Sequence, residues 1–153
     1  MQIRKALPQD KEQISNLYSI LFAESAQLQP SFYKASEENG PFVESILADE
    51  KACFFVAQDG ELIKGFVLVL EQSTPPYPCL HQFSYAYLLD TVVLPQCRGQ
   101  GIGTALIGAV KEWAKERNLH HVALTVLEEN FEARKLYERN SFRSTMRTMR
   151  FMP

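Results

Sequence analysis

The chain has 153 residues, 46% hydrophobic and 22% charged, which is the make-up of a globular protein and excludes a disordered or fibrous one. That length fits one domain, residues 1–153, able to hide about 70% of the surface its unfolded chain exposes. A net charge of −2 argues against electrostatic binding to phosphate backbones, which goes with a basic stripe and a high pI, so nucleic acid is not an expected partner.

Gln2 to Ala6 reads as a short strand. Pro8 opens a helix from about Gln9, whose apolar stripe Ile14, Leu17, Tyr18, Leu21 and Phe22 has helical spacing. After Pro30, Gly40 and Pro41 a short helix is expected near Phe42 to Ala48. Ala52 to Gln58 and Leu62 to Gln72 are β-branched and aromatic runs joined at Asp59-Gly60, a hairpin signal. Thr74 to Pro78 holds three prolines and is loop, and Phe83 to Leu94 is a strand ended by Pro95. Ile102, Ala105, Leu106, Ala109, Val110 and Trp113 predict an amphipathic helix over Gly101 to Arg117. His121 to Leu127 reads as a strand, Phe131 to Arg139 as a helix, and Phe142 to Met152 as a terminal strand or two short ones.

Cys53, Cys79 and Cys97 are odd in number, far apart and without metal-ligand spacing, so reduced thiols are expected. No apolar run reaches the 18 residues of a membrane helix, and Met1 to Asp10 lacks the apolar stretch of a signal peptide. A cytoplasmic protein without a membrane partner is the expectation. The three histidines form no zincin motif, and adjacent His120 and His121 would point to opposite faces of a strand, so no metal centre is expected.

Gln96-Cys97-Arg98-Gly99-Gln100-Gly101-Ile102-Gly103-Thr104 lies between a strand end and a strongly amphipathic helix. Glycines there remove Cβ atoms that would hold a ligand off the backbone, while first-turn amides and the helix dipole favour an anion such as a diphosphate. A dinucleotide fingerprint needs a glycine at relative position six, which is Thr104 counted from Gly99 and Leu106 counted from Gly101. A Walker-type loop needs lysine after its last glycine, and Gly108 is followed by Ala109. Both are excluded.

The loop resembles the signature Gln/Arg-x-x-Gly-x-Gly/Ala of the GCN5-related N-acetyltransferases (GNAT), read here as Gln96-x-x-Gly99-x-Gly101. Asp90-Thr91-Val92-Val93-Leu94-Pro95 looks like that family's fourth strand, and Asn130-x-x-Ala133-x-x-x-Tyr137-Glu138 like its later helix. The resemblance implies an α/β (α+β) acyl-CoA N-acyltransferase fold, with a mixed, mostly antiparallel sheet of six to seven strands flanked by about four helices. It implies acetyl-CoA as cosubstrate, with pantetheine between splayed fourth and fifth strands and the diphosphate on the amides of Arg98, Gly99, Gln100, Gly101, Ile102, Gly103 and Thr104. Val92, Val93 and Leu94 would flank the pantetheine, the main-chain N–H near Val93 would face the oxyanion, and Asn130 would contact the cofactor or simply cap its helix.

By the same resemblance Tyr137 is the candidate general acid for the leaving thiolate; read from spacing alone, it equally suits the apolar face it forms with Ala133 and Leu136. The attacking amine, with a pKa of about 10.4, needs help to lose its proton, at a cost of about 4.6 kcal/mol at pH 7. Relatives often carry glutamate at the positions of Leu89 or Thr125, which leaves Asp90, Glu24, His81 and Glu128 as candidate bases, Asp90 foremost. Ser141 replaces a glycine common before the phenylalanine. Cys97, inside the loop, reads as an inert thiol rather than a nucleophile.

The acceptor site is expected from Phe22 to Phe42 and Thr74 to Tyr87, where Phe32, Tyr33, Tyr77, Tyr85, Tyr87, Glu24, Glu37 and Glu38 suit a cationic amine of a small molecule or peptide. The expected function is transfer of an acetyl group to a primary amine by direct attack, and the alternative is a non-catalytic acyl-CoA-binding module. Met146, Met149, Phe151 and Met152 give an expected terminal edge strand through which two copies could pair as a homodimer.

Overall fold

In a computed structural model that describes residues 1–153, the apolar runs assemble into one sheet. Its strands are β1 (Gln2–Lys5), β2 (Ala52–Asp59), β3 (Leu62–Ser73), β4 (Ser84–Val93) and β5 (Val122–Leu124), ordered β1-β2-β3-β4-β5. The first three pairings are antiparallel and β4–β5 is parallel. The helices are α1 (Lys11–Leu28), α2 (Gly40–Leu47), α3 (Ile102–Glu116) and α4 (Phe131–Arg139). No helix is long and apolar enough to cross a membrane.

Side chains of successive strand residues point to opposite faces, and here that alternation builds two cores. On one face Phe55, Ala57, Val67 and Val69 pack with Leu106, Ile107, Val110 and Trp113 of α3. On the other, Phe54, Val56, Phe66 and Leu68 pack with Ile14, Leu17 and Tyr18 of α1 and Val43 of α2. Fully burying each such Leu, Ile or Val contributes about 1.5–3 kcal/mol, so both helix layers are held mainly by the sheet. Asn39, 4% exposed, fixes the segment between α1 and α2 by donating to Ser15 O, Ser19 Oγ and Ser36 O.

Strand β4 breaks the pattern. Its pairing with β3 runs Leu68↔Asp90 and then Val69↔Leu88, which leaves Leu89 as an extra residue in a β-bulge. Ala86 and Leu88 therefore join the α3 core, whereas Val92 joins the α1 core although its spacing from them is even. The bulge turns the end of β4 over.

The sheet has five strands rather than the six to seven implied by the resemblance. The run from His121 to Leu127 is strand only over Val122–Leu124, because β4 offers it partners only from Ala86 to Leu88 before the bulge diverts that edge. Phe142 to Met152 contains no strand, and Met146, Met149 and Phe151 are about nine-tenths exposed (89%, 90% and 88%). Without a neighbouring strand to complete its backbone hydrogen bonds, a β-prone composition does not make a strand. The edge strand expected to pair two copies is therefore not formed.

Close to the bulge, β3 and β4 approach so tightly that a Cβ on Gly65 would stand 2.7 Å from Val92 O. Gly65→Ala should cost about 1–3 kcal/mol of stability, measured as a lowered urea midpoint; an unchanged midpoint would show that the strands part freely.

Candidate functional site

Pairing of β4 with β5 ends at Leu88↔Leu124, and beyond it the β4 edge has no strand beside it. The amide of Leu94 donates to Lys64 O at 2.8 Å, toward the β3 side. By the alternation of a strand, the Val93 amide turns the other way, into the gap. On that side Arg98 Nε donates to Val93 O at 2.9 Å.

The gap opens into a cavity of about 390 Å³ between α1 and α4, with Thr91, Val92 and Val93 as its floor. The glycine loop and first turn of α3 form one end. Gly99 (φ +75°) and Gly101 (φ +83°) hold left-handed backbone, and a Cβ on either would meet nothing within 4 Å. Glycine is needed there for conformation, and the space before the loop is clear. Gly103 serves differently: a Cβ on it would lie 2.9 Å from Leu136 Cδ2, so its bareness lets α4 pack against α3.

The amides of the loop are unmatched. Gly101 is the N-cap of α3 with no side-chain cap, and the first helical bond is Ala105 N to Gly101 O at 3.1 Å. None of the six successive amides from Gly99 to Thr104 has a hydrogen-bond partner in the protein. Six free N–H groups stand at the positive end of a 15-residue helix, an arrangement that favours an anion.

Opposite the loop, Tyr137 is 9% exposed and its hydroxyl donates to Thr91 Oγ1 at 3.3 Å. Burial is the main influence on this phenol and pushes its pKa up; the bond to Thr91 pulls it partly back, and Asp90 adds a smaller upward push. The hydroxyl stays protonated at neutral pH. Asn130 caps α4, its side chain accepting from Ala133 N at 3.2 Å, and also lines the cavity, so capping and cavity lining coexist in one residue.

Of the residues expected in the site, Val92, Val93, Arg98, Gly99, Gly101, Ile102, Gly103, Thr104, Asn130 and Tyr137 line this cavity; Leu94, Gln100 and Asp90 do not. Asp90, half-buried, is turned by the bulge toward α1, where Tyr18 Oη donates to its Oδ2 at 2.7 Å. Glu24 does line the cavity, with its carboxylate 2.8 Å from Arg98. His81 and Glu128 stand outside it, and Glu128 faces Arg134 at 3.6 Å. Tyr87 Oη donates to Thr125 Oγ1 at 2.8 Å, so both are held to each other.

Sequence reasoning passed over Leu21, Thr91, Glu132, Leu136 and Arg139 as cavity residues. Signals existed: Thr91 shares strand parity with Val93, and Glu132, Leu136 and Arg139 follow the i, i+4, i+7 spacing of one helix face.

Residues 12–142 match the family model described as the acetyltransferase (GNAT) family. A curated N-acetyltransferase of Archaeoglobus fulgidus, itself uncharacterised, is 28% identical over 144 residues, covering 94% of this chain and 93% of its own. The crystal structure of a mutant Bacillus halodurans protein superposes with a TM-score of 0.94 at 24% identity, covering 100% of this chain and 99% of its own. Aminoglycoside N-acetyltransferase AAC(6')-Iy, crystallised in complex with CoA, superposes with a TM-score of 0.77 at 20% identity, covering 99% and 98%. These two likenesses are of fold.

The match over residues 12–142 makes the assignment: the chain belongs to the acetyltransferase (GNAT) family. It is an N-acetyltransferase by family and by its curated relatives.

Asp90 provides a test of the geometry. Burial raises its carboxyl above the ordinary 3.8, and the Tyr18 bond offsets this only in part. The folded state thus binds that proton more tightly than the unfolded chain, and the group's contribution to stability falls as pH rises from about 4 through the raised value. Asp90→Asn should melt higher than the parent at pH 7 and show a flatter melting profile between about pH 4 and 7, followed by circular dichroism. A lower melting point at pH 7 would mean that Tyr18 requires the negative charge.

Proposed function

We propose that the cavity binds acetyl-coenzyme A and that the chain passes its acetyl group directly to a primary amine of a small molecule or peptide. The observation that carries this reading is the run of six unpartnered amides from Gly99 to Thr104, set beside the open edge of β4. The residues present fit the group. Left-handed Gly99 and Gly101 leave the loop face clear for a diphosphate, and the cavity leads from there to Val93 and Tyr137. The CoA complex of the similarly folded aminoglycoside N-acetyltransferase supports the same choice of cosubstrate.

When bound, acetyl-coenzyme A supplies an acetyl group activated as a thioester. The rest falls to the chain. The Val93 amide is a fixed donor facing the gap, of the kind that stabilises a developing oxyanion and accounts for about 2.7–4 kcal/mol where single donors have been removed from other enzymes. Its side chain matters for packing alone. Tyr137, kept protonated by burial, holds at Oη a proton that it can give to a thiolate, since phenols and thiols have comparable acidities.

Of the candidate bases Asp90, Glu24, His81 and Glu128, Glu24 is the one that lines the cavity, and it is assigned to receive the proton of the amine, directly or through water. Its pairing with Arg98 at 2.8 Å keeps the carboxylate in position. Asp90, beneath α1, is assigned to holding Tyr18 rather than to proton transfer.

The test is calorimetric titration with acetyl-coenzyme A, together with thiol detection across a panel of primary amines. Amine-dependent thiol release is expected, and Tyr137→Phe should lower turnover roughly a hundredfold or more while leaving acetyl-coenzyme A affinity near that of the parent. Unchanged turnover in the variant would remove the role of Tyr137. Binding without thiol release across the panel would favour the non-catalytic acyl-CoA module.

A further inference from the structure

Coenzyme A is more than a diphosphate, and the charges around the cavity are unevenly committed. The glycine-loop amides carry only partial positive charge and account for the diphosphate. A monoester phosphate carries about −1.5 to −2 at neutral pH and needs a cation of its own.

Two cations line the cavity, Arg98 and Arg139. Arg98 is spent: its Nε bonds Val93 O at 2.9 Å and its guanidinium meets Glu24 at 2.8 Å. Nearby, Lys111 Nζ donates to Asn140 O at 2.6 Å, and Arg134 donates to Glu128 O at 3.1 Å. Arg139 alone of the four makes no hydrogen bond or ion pair, although it is exposed and free to find one.

Its position is fixed from behind. Asn140, the C-cap of α4, donates through Nδ2 to Thr104 Oγ1 at 3.2 Å and to Leu136 O at 2.8 Å. That contact seats the end of α4 carrying Arg139 against the first turn of α3, beside the free amides. Two turns earlier on the same helix, Glu132 also lines the cavity, without an ion-pair partner. The lining face of α4 is therefore polarised, with a carboxylate at its first turn and a guanidinium at its last.

We propose that Arg139 is the binding site for the ribose phosphate of coenzyme A, and so sets a preference for the cosubstrate over its 3'-dephospho form. The proposal rests on acetyl-coenzyme A occupying the cavity. An arginine suits the task because its planar fork can donate two bonds to one phosphate, and Glu132 repels the dianion from the opposite end of the helix face.

The experiment is calorimetric titration of the full chain and of Arg139→Gln with acetyl-coenzyme A and with acetyl-3'-dephospho-coenzyme A, at one low ionic strength. The parent should bind acetyl-coenzyme A about tenfold or more tightly than the dephospho compound. Arg139→Gln should lose that factor for acetyl-coenzyme A and keep the parent's affinity for the dephospho compound, with an unchanged melting temperature. Equal weakening toward both compounds would assign Arg139 to the diphosphate and overturn the proposal. No weakening toward either would overturn it too. A parent that binds the dephospho compound but shows no preference defeats only this inference, whereas a parent that binds neither defeats the acetyl-coenzyme A reading itself.

Discussion

A sheet in which β4 and β5 paired along their full lengths would leave no room for a ligand between them. Here pairing stops at Leu88↔Leu124, and one inserted residue, Leu89, turns β4 away from its neighbour. The backbone groups left at that edge need partners, since unpaired peptide groups removed from water are costly. Arg98 satisfies the Val93 carbonyl, and the Val93 amide is left facing the cavity. The bulge also carries Asp90 to the α1 face, where a buried tyrosine takes it as acceptor, and brings Thr91 under Tyr137.

The second half of the site follows from the chain leaving that edge. Pro95 ends the strand, a short 3-10 turn from Pro95 to Cys97 reverses the direction, and left-handed Gly99 and Gly101 lead into α3 without a side-chain cap. A helix of 15 residues whose apolar face is buried against the sheet can tolerate an uncapped N-terminus, because packing supplies its stability. The uncapped amides are then available to a ligand. Gly103 belongs to the same economy of space in another way, admitting Leu136 so that α4 closes the far wall and places Tyr137 over the strand gap.

Much of this was legible in the residues. The hairpin at Asp59-Gly60, the amphipathic α3 and the glycine loop before it are local patterns, and local patterns survive folding when the fold agrees with them. The facing of β4 was not legible. Ala86, Leu88, Asp90 and Val92 have the even spacing of one strand face, and only the pairing with β3 reveals the residue that divides them between two. The terminal segment failed for a related reason: Phe142 to Met152 has a strand's composition but no strand edge beside it. The cavity role of Arg139 was hidden because an arginine in the last turn of a helix has an ordinary explanation in the helix dipole, and its lack of any partner appears only in three dimensions.

The central claim is that the amides from Gly99 to Thr104 are the anion cradle of this enzyme. The most direct measurement is a titration of ¹⁵N-labelled protein with coenzyme A, observed through amide resonances. The account predicts that the Gly99, Gln100, Gly101, Ile102, Gly103 and Thr104 amides shift most, together with Val93. Saturable binding that left these resonances in place and moved others would contradict it.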